Sequence, residues 1–223
     1  MNRRIVAASC LFVAPVLHAV SYLLWPAGSE GSDAAQLAGA AGHPGAWTAA
    51  TVTEAVGWLL LLPALAVLWS EIRGRGARLV TVGVWGAVLG TFGFYAGTVL
   101  NLATIDIARL DRATQVYDAL RSDGRLALVA VLPLMLGLLS WVVLLAGIAR
   151  AGWAGWWLPA LGVVAVVASE MLGDLQGVLL VVAFAPMAAA WIVVGARLAR
   201  TAPVDLSSSR AGREDDKSTL GAV

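Results

Sequence analysis

Long apolar runs alternate with short polar segments along the whole chain, and almost all charged residues fall in the polar segments. A helix needs about 20 apolar residues to cross the core of a bilayer. Six runs reach or approach that length, which predicts an all-α, polytopic membrane helix bundle with six transmembrane helices. The predicted spans are Ile5–Trp25, Trp47–Trp69, Leu79–Val99, Leu126–Ile148, Trp156–Leu172 and Leu175–Val194.

The basic residues are distributed unevenly between the two sides that these spans define. With the N-terminus inside, eleven of the fifteen Lys and Arg residues fall in inner segments, and the other four lie in one outer loop with four aspartates. Because an excess of Lys and Arg marks the cytoplasmic side, the sequence predicts a multi-pass protein of the cell inner (cytoplasmic) membrane with both termini inside. The alternative, a signal peptide within residues 1–41, is disfavoured because the stretch is too long and contains His18 and Tyr22.

Composition agrees with a membrane protein and excludes several classes of function. Hydrophobic residues make up 60% of the 223 residues and charged residues 13%, whereas soluble domains carry roughly a quarter charged residues. The net charge of +1 gives no reason to expect a nucleic-acid partner. The single cysteine, Cys10, excludes a disulfide within one chain, and no spacing of ligands indicates a metal site or another cofactor. We therefore expect a membrane lipid or hydrophobic small molecule as partner, while protein partners stay unknown.

Three segments outside the spans differ in character. Residues 27–44 are rich in Gly, Ala and Ser, which predicts a flexible outer loop. Residues 106–122 carry apolar side chains at helical spacing, and Gly124 would end such a helix. This pattern predicts an outer amphipathic helix, either a lid over the bundle or a plain connector. After a transmembrane domain of residues 1–201, the serine run and charged run of residues 202–223 predict a disordered cytoplasmic tail.

The third span carries five glycines at spacings of three and four, which places them on one helical face. They are Gly83, Gly86, Gly90, Gly93 and Gly97. Such a seam favours close packing of a neighbouring helix. Alternatively, the missing side chains leave room for a ligand. The opposite face carries Trp85, Val88, Phe92 and Tyr95.

Polar residues are concentrated in the outer halves of the spans, and the inner halves are nearly pure Leu, Val, Ala and Gly. An ionisable group inside a transmembrane helix costs about 2.5–3.5 kcal/mol on insertion scales, so it is a candidate functional group. The distribution predicts a polar pocket in the outer half. Its candidate substrate-binding residues are His18, Tyr22, Trp58, Phe92, Tyr95 and Asn101.

Three carboxylates are candidate catalytic groups, namely Glu54, Glu170 and Asp174. Glu170 and Asp174 are four residues apart and share a face if the helix continues, and two such carboxylates in a low dielectric hold one proton between them. The arrangement would suit protonation of an alkene or epoxide, with aromatic faces stabilising a carbocation. Structural roles are the alternatives, because Asp174 could cap the sixth helix and Glu170 could be hydrated near the surface.

A family resemblance is carried by the order of spans, the Ala-rich first outer loop, the outer helix between spans three and four, and Gly155-Trp-Trp-Leu-Pro-Ala-Leu-Gly162 at the start of span five. These features resemble an uncharacterised bacterial six-helix integral membrane family of unknown function, which implies a fold and no activity. Membrane-bound terpenoid cyclases, usually with seven spans, are similar in size and in their use of intramembrane acids. That similarity implies acid-initiated chemistry on a lipid-like substrate.

Three functions stay open on the sequence alone. The most specific hypothesis is an acid-initiated cyclase or isomerase of a terpenoid-type substrate bound in the outer pocket. The first alternative is a proton-coupled exporter or resistance protein, which would need a polar route through the inner half. The second alternative is a non-enzymatic partner of another membrane protein.

Overall fold

The computed structural model describes residues 2–29, 32–171 and 178–200, with the backbone alone at 127, 169 and 170. Within these ranges the chain forms helices and turns and contains no strand. The helices are α1 (Arg3–Leu24), α2 (Asp33–Gly42), α3 (Pro44–Glu71), α4 (Ala77–Ile107), α5 (Ala113–Ser122), α6 (Gly124–Leu126), α7 (Leu132–Arg150), α8 (Trp157–Met171) and α9 (Val178–Arg200). A π-helical turn, Ala127–Val131, joins α6 to α7.

Five of these segments are long and apolar enough to cross a membrane. They are α1, α3, α4, the continuous stretch Gly124–Arg150 and α9. Helix α8 is apolar but has only 15 residues, and it ends beside residues 172–177, which lie outside the described ranges. A multi-pass architecture follows from the five long helices, while the sixth crossing stays a prediction. The predicted tail, residues 202–223, also lies outside the described residues.

The long helices form a closed ring. Helix α1 packs against α3, α3 against α4, α4 against α7, α7 against α8, α8 against α9, and α9 returns to α1. One end of the ring, here called the basic end, is closed by the Glu71 carboxylate, which accepts hydrogen bonds from Arg3 at 2.8 Å and Arg4 at 2.6 Å. Next to it the interior is filled by leucines with at most 1% exposure, among them Leu65 and Leu144.

The closest pair in the ring is α4 with α7, and the glycine seam explains why. A Cβ added to Gly90 would lie 2.4 Å from the Gly137 Cα, and one added to Gly83 would lie 2.6 Å from Leu144. Only the absence of these side chains allows the two backbones to approach so closely. The predicted packing role of the seam is confirmed for Gly83, Gly86, Gly90 and Gly93. Gly97 differs, because nothing lies within 4 Å of its added Cβ.

The opposite end, here called the capped end, is covered by α2 and α5. The sequence predicted a flexible loop over residues 27–44, but α2 occupies Asp33–Gly42 of it and begins at Ser32, whose hydroxyl accepts from the Ala35 N–H. This side-chain cap stabilises a helix that the Ala- and Gly-rich composition does not reveal. Helix α5 begins at Ala113, inside the predicted range 106–122, because α4 continues to Ile107 and a turn follows.

Candidate functional site

Seven aromatic side chains from five helices meet inside the ring and form a cluster that we call the aromatic cage. Its members are His18 and Tyr22 of α1, Trp58 of α3, Phe94 of α4, Trp141 of α7, and Phe184 and Trp191 of α9. The rings of His18 and Phe184 are stacked with centroids 5.1 Å apart. The cage lies between the leucine-filled basic end and the capped end.

His18 is at the centre of the cage and is fully buried. Gly57 makes room for it, since a Cβ on Gly57 would lie 2.7 Å from the imidazole ring. The His18 Nδ1 atom lies 2.7 Å from the Ala14 carbonyl oxygen. Because a carbonyl only accepts, Nδ1 carries the proton, and in the neutral ring Nε2 is then a hydrogen-bond acceptor. The imidazole therefore presents one unshared lone pair to the interior.

Three buried nitrogens in this cage lack a hydrogen-bond partner within the part of the chain that the structure describes. They are His18 Nε2, Trp58 Nε1 and Trp191 Nε1. Each unpaired buried polar group costs about 1–3 kcal/mol, so native proteins keep few of them. One acceptor and two donors within one cluster are chemically complementary to a polar group that is absent from the protein itself.

The cage borders a small cavity of about 70 Å³, whose lining residues include Tyr22, Trp58 and Trp191. Since a water molecule takes about 30 Å³, this inner cavity has room for roughly two water-sized groups. A narrow gap of about 10 Å³ shares Trp58 with this cavity and is also bordered by Gly90 and Leu134. Leu134 also borders a much larger cavity at the capped end, so each space shares a wall residue with the next.

The larger cavity, here called the outer pocket, has a volume of about 360 Å³. Gly97 lies in its wall where any larger side chain would intrude, and Phe94 separates it from Trp58 of the cage, with ring centroids 5.3 Å apart. The π-helical turn forms another wall. That turn precedes Pro133, whose ring nitrogen cannot donate to the carbonyl four residues earlier. Such π-helical turns are frequent at functional sites.

The rim of the outer pocket is polar and is held by contacts between α2 and α5. Tyr117 donates a hydrogen bond of 2.7 Å to the Gln36 side chain, and Arg121 forms an ion pair with Asp33. Burial raises the pKa of Tyr117, so its phenol stays a neutral donor. The hydrogen bond with Asp33 raises the pKa of Asp118. The rim therefore combines neutral donors and acceptors with the guanidinium of Arg121, which is paired with Asp33.

Glu54 lies next to the cage, beside its member Tyr22. Glu54 is one helical turn from Trp58 and therefore shares its face, and Tyr22 is one turn from His18. The Glu54 carboxylate is close enough to the Tyr22 phenol to interact with it electrostatically. Within the described residues the Glu54 carboxylate makes no hydrogen bond or ion pair. Tyr95, in contrast, donates a hydrogen bond of 2.7 Å to the Ala55 carbonyl and so links α4 to α3.

The structure brings together some of the predicted site residues and separates others. His18, Tyr22 and Trp58 meet in the cage, whereas Asn101 lines the outer pocket and accepts at its backbone oxygen from Trp47 Nε1 at 2.7 Å. Phe92 is 68% exposed on the outside of the ring. The Glu170 side chain and all of Asp174 lie outside the described residues, so their pairing stays a prediction.

The predicted site residues did not include four members of the cage, namely Phe94, Trp141, Phe184 and Trp191. Trp191 and Phe184 contact His18 although more than 160 positions separate them in the chain, because α9 closes the ring against α1. Phe94, two residues from Phe92, is the ring that faces inward from α4. A signal for it existed, since it stands next to Gly93 of the seam, on the side of the helix that packs.

Comparison of the chain with protein-family models, curated proteins and solved structures finds no match.

Proposed function

We propose that this protein binds a hydrophobic small molecule, drawn from the outer leaflet of the cytoplasmic membrane, in the outer pocket between α4, the π-helical turn and the cap. The observation that carries the proposal is the cavity of about 360 Å³ with apolar walls and a polar rim. Small-molecule sites are usually concavities of about 300–1,000 Å³ with apolar walls and few polar groups.

The residues that line the outer pocket are suited to an apolar ligand with one polar end. Leu126, Ala130 and Leu134 supply apolar surface, and Gly97 leaves space that the rest of the glycine seam does not. At the rim, Gln36 and Arg121 offer hydrogen-bonding groups to a polar end or headgroup. A purely structural contact between helices would fill this space with side chains.

The charge distribution supports placing the capped end outside. The basic end carries the arginines at the start of α1, between α3 and α4, and at the ends of α7 and α9. In a bilayer that excess favours the cytoplasmic side. The outer pocket would then lie at the depth of the outer leaflet, where an apolar molecule can enter from the lipid.

Photolabelling tests the proposal with a defined probe, an octanol that carries a diazirine on its chain. We expect adducts on the pocket wall at Ala130, Val131 or Leu134 of the protein in nanodiscs. Replacing Gly97 with Phe fills the pocket and should reduce this labelling by about tenfold, which corresponds to 1.4 kcal/mol of binding. Val99→Phe is the matched control, because Val99 is two residues away and 67% exposed on the lipid side. Equal labelling in both variants would refute the pocket.

An acid-initiated cyclase or isomerase is a second candidate, and the specific observation that favours it is the aromatic cage with Glu54 one turn away. Aromatic faces attract cations, and a carboxylic acid next to them can supply the initiating proton. The inner cavity of about 70 Å³ is too small for a whole terpenoid, so the reacting carbons would have to extend into the outer pocket.

The Glu54→Gln variant separates catalysis from binding. The amide keeps the shape and hydrogen-bonding capacity of the carboxyl group but cannot transfer a proton. We expect unchanged photolabelling with the octanol probe and complete loss of turnover of any polyprenyl epoxide substrate. Retained turnover in the Glu54→Gln variant would show that Glu54 is not the catalytic acid.

An exporter is disfavoured by the packing at the basic end. There Leu61, Leu65 and Leu198 are at most 1% exposed, and Glu71 is paired with both Arg3 and Arg4. Alternating access needs a polar route that reaches this side. The described helices offer none in this conformation.

A further inference from the structure

We propose that the aromatic cage binds a hydroxyl group, and that His18, Trp58 and Trp191 select an apolar ligand that carries one. This inference deepens the proposed function and rests on it, since the apolar body of the same ligand would occupy the outer pocket. No other residue of the cage supplies a partner for the three ring nitrogens in the described ranges.

The stoichiometry of donors and acceptors identifies the group. His18 Nε2 needs a donor, because Nδ1 already gives its proton to the Ala14 carbonyl. The indoles of Trp58 and Trp191 need acceptors, because an indole N–H only donates. An O–H group has one proton to donate and two lone pairs to accept with. A carbonyl or an ether lacks the donor, and an ammonium lacks the acceptor.

The three rings lie close enough together to surround one small group. The ring centroids of His18, Trp58 and Trp191 are 5.0, 5.7 and 6.2 Å apart. The inner cavity, lined by two of these three rings, has room for roughly two water-sized groups.

Shared wall residues mark the path that we infer for the hydroxyl-bearing end. Leu134 borders both the outer pocket and the narrow gap, and Leu138 borders both the gap and the inner cavity. Phe94 stands at the boundary, lining the outer pocket and contacting Trp58. Rotation of one phenyl ring would let a linear chain extend from one space into the other.

Two probes of equal size test the inference on the unaltered protein in nanodiscs. They are 1-octanol and methyl heptyl ether, which have the same numbers of carbon and oxygen atoms, but only the alcohol can donate a hydrogen bond. Their affinities are measured by competition with the diazirine-bearing octanol. We expect the alcohol to bind about tenfold more tightly, a difference of about 1.4 kcal/mol, because the ether leaves His18 Nε2 without a hydrogen-bond donor. The indole N–H resonances of Trp58 and Trp191 should move downfield with the alcohol.

Variants assign the roles of the individual nitrogens. His18→Phe removes the acceptor and should abolish the preference for alcohol over ether. Trp191→Phe removes one hydrogen-bond donor and should weaken the binding of both probes to the same extent, since the oxygen atom of each probe can accept a hydrogen bond. The control Trp156→Phe changes a tryptophan that is 63% exposed and should change neither affinity.

Three results would overturn the inference. Equal affinities of alcohol and ether would show that no hydroxyl is recognised, although the proposal that the outer pocket binds an apolar molecule would remain valid. Competition by octanol without any shift of the two indole resonances would mean that water alone occupies the cage. If neither probe competes, the inference fails together with the proposed function.

Discussion

Replacing Gly90 with Ala should destabilise the bundle, because this glycine lies at the closest contact of the ring. Its added Cβ would stand 2.4 Å from the Gly137 Cα, whereas ordinary contacts begin at 3.4 Å. Helices α4 and α7 would have to separate by about 1 Å, which forfeits a quarter to a half of the dispersion energy of the contacting atoms. Overpacking of this kind costs about 1–3 kcal/mol.

Gly97→Ala is the matched control on the same helix, since its Cβ meets nothing within 4 Å. Both substitutions gain the same helix propensity, up to about 1 kcal/mol, so the difference between them isolates the packing cost. We expect Gly90→Ala to be less stable than Gly97→Ala by about 1–3 kcal/mol. Unfolding in mixed micelles of increasing dodecyl sulfate content, followed by circular dichroism, measures it. Equal midpoints for the two variants would refute the explanation of the seam.

Three further predictions concern the boundary of the cage, the cap and the topology. Phe94→Ala removes the ring between the two cavities and should increase photolabelling of Trp58 by the diazirine-bearing octanol; unchanged labelling would mean that the spaces do not join. The raised pKa of Asp118 means that its contribution to the cap is present below the unfolded value, about 3.9, and is lost as the pH rises through the folded value. At pH 7 the amides of α5 should therefore exchange more slowly in Asp118→Asn than in wild type, whereas at pH 3 the two proteins should exchange at the same rate. A difference in exchange that does not depend on pH would contradict this. Reporters fused after Arg150 should be cytoplasmic, and reporters fused within residues 111–123 should be external. An external signal from a fusion after Arg150 would contradict the predicted topology.

The sequence predicted what depends on periodicity within one helix. The spacing of Gly83, Gly86, Gly90 and Gly93 was sufficient to anticipate a close helix contact, because helical geometry alone puts those positions on one face. His18 and Trp58 could be singled out because polar and aromatic groups are rare inside apolar runs. These inferences need no knowledge of which helices are neighbours.

Features that depend on closure of the ring could not be predicted. Trp191 and Phe184 reach His18 only because α9 packs on α1, and nothing local to either segment encodes that contact. The choice between Phe92 and Phe94 depended on which side of α4 faces the interior, and the two positions point in nearly opposite directions on a helix. Helix α2 was missed because its Ala and Gly residues have no strong pattern, although Ser32 before Asp33 is a capping signal.

Mass spectrometry of the protein released from its native membrane, without added ligand, tests the central claim most directly. The account predicts one apolar molecule with a hydroxyl group, retained by wild type and by Val99→Phe and lost from Gly97→Phe. Retention of bulk membrane lipids alone, or of the same molecule in equal amount by Gly97→Phe, would contradict it.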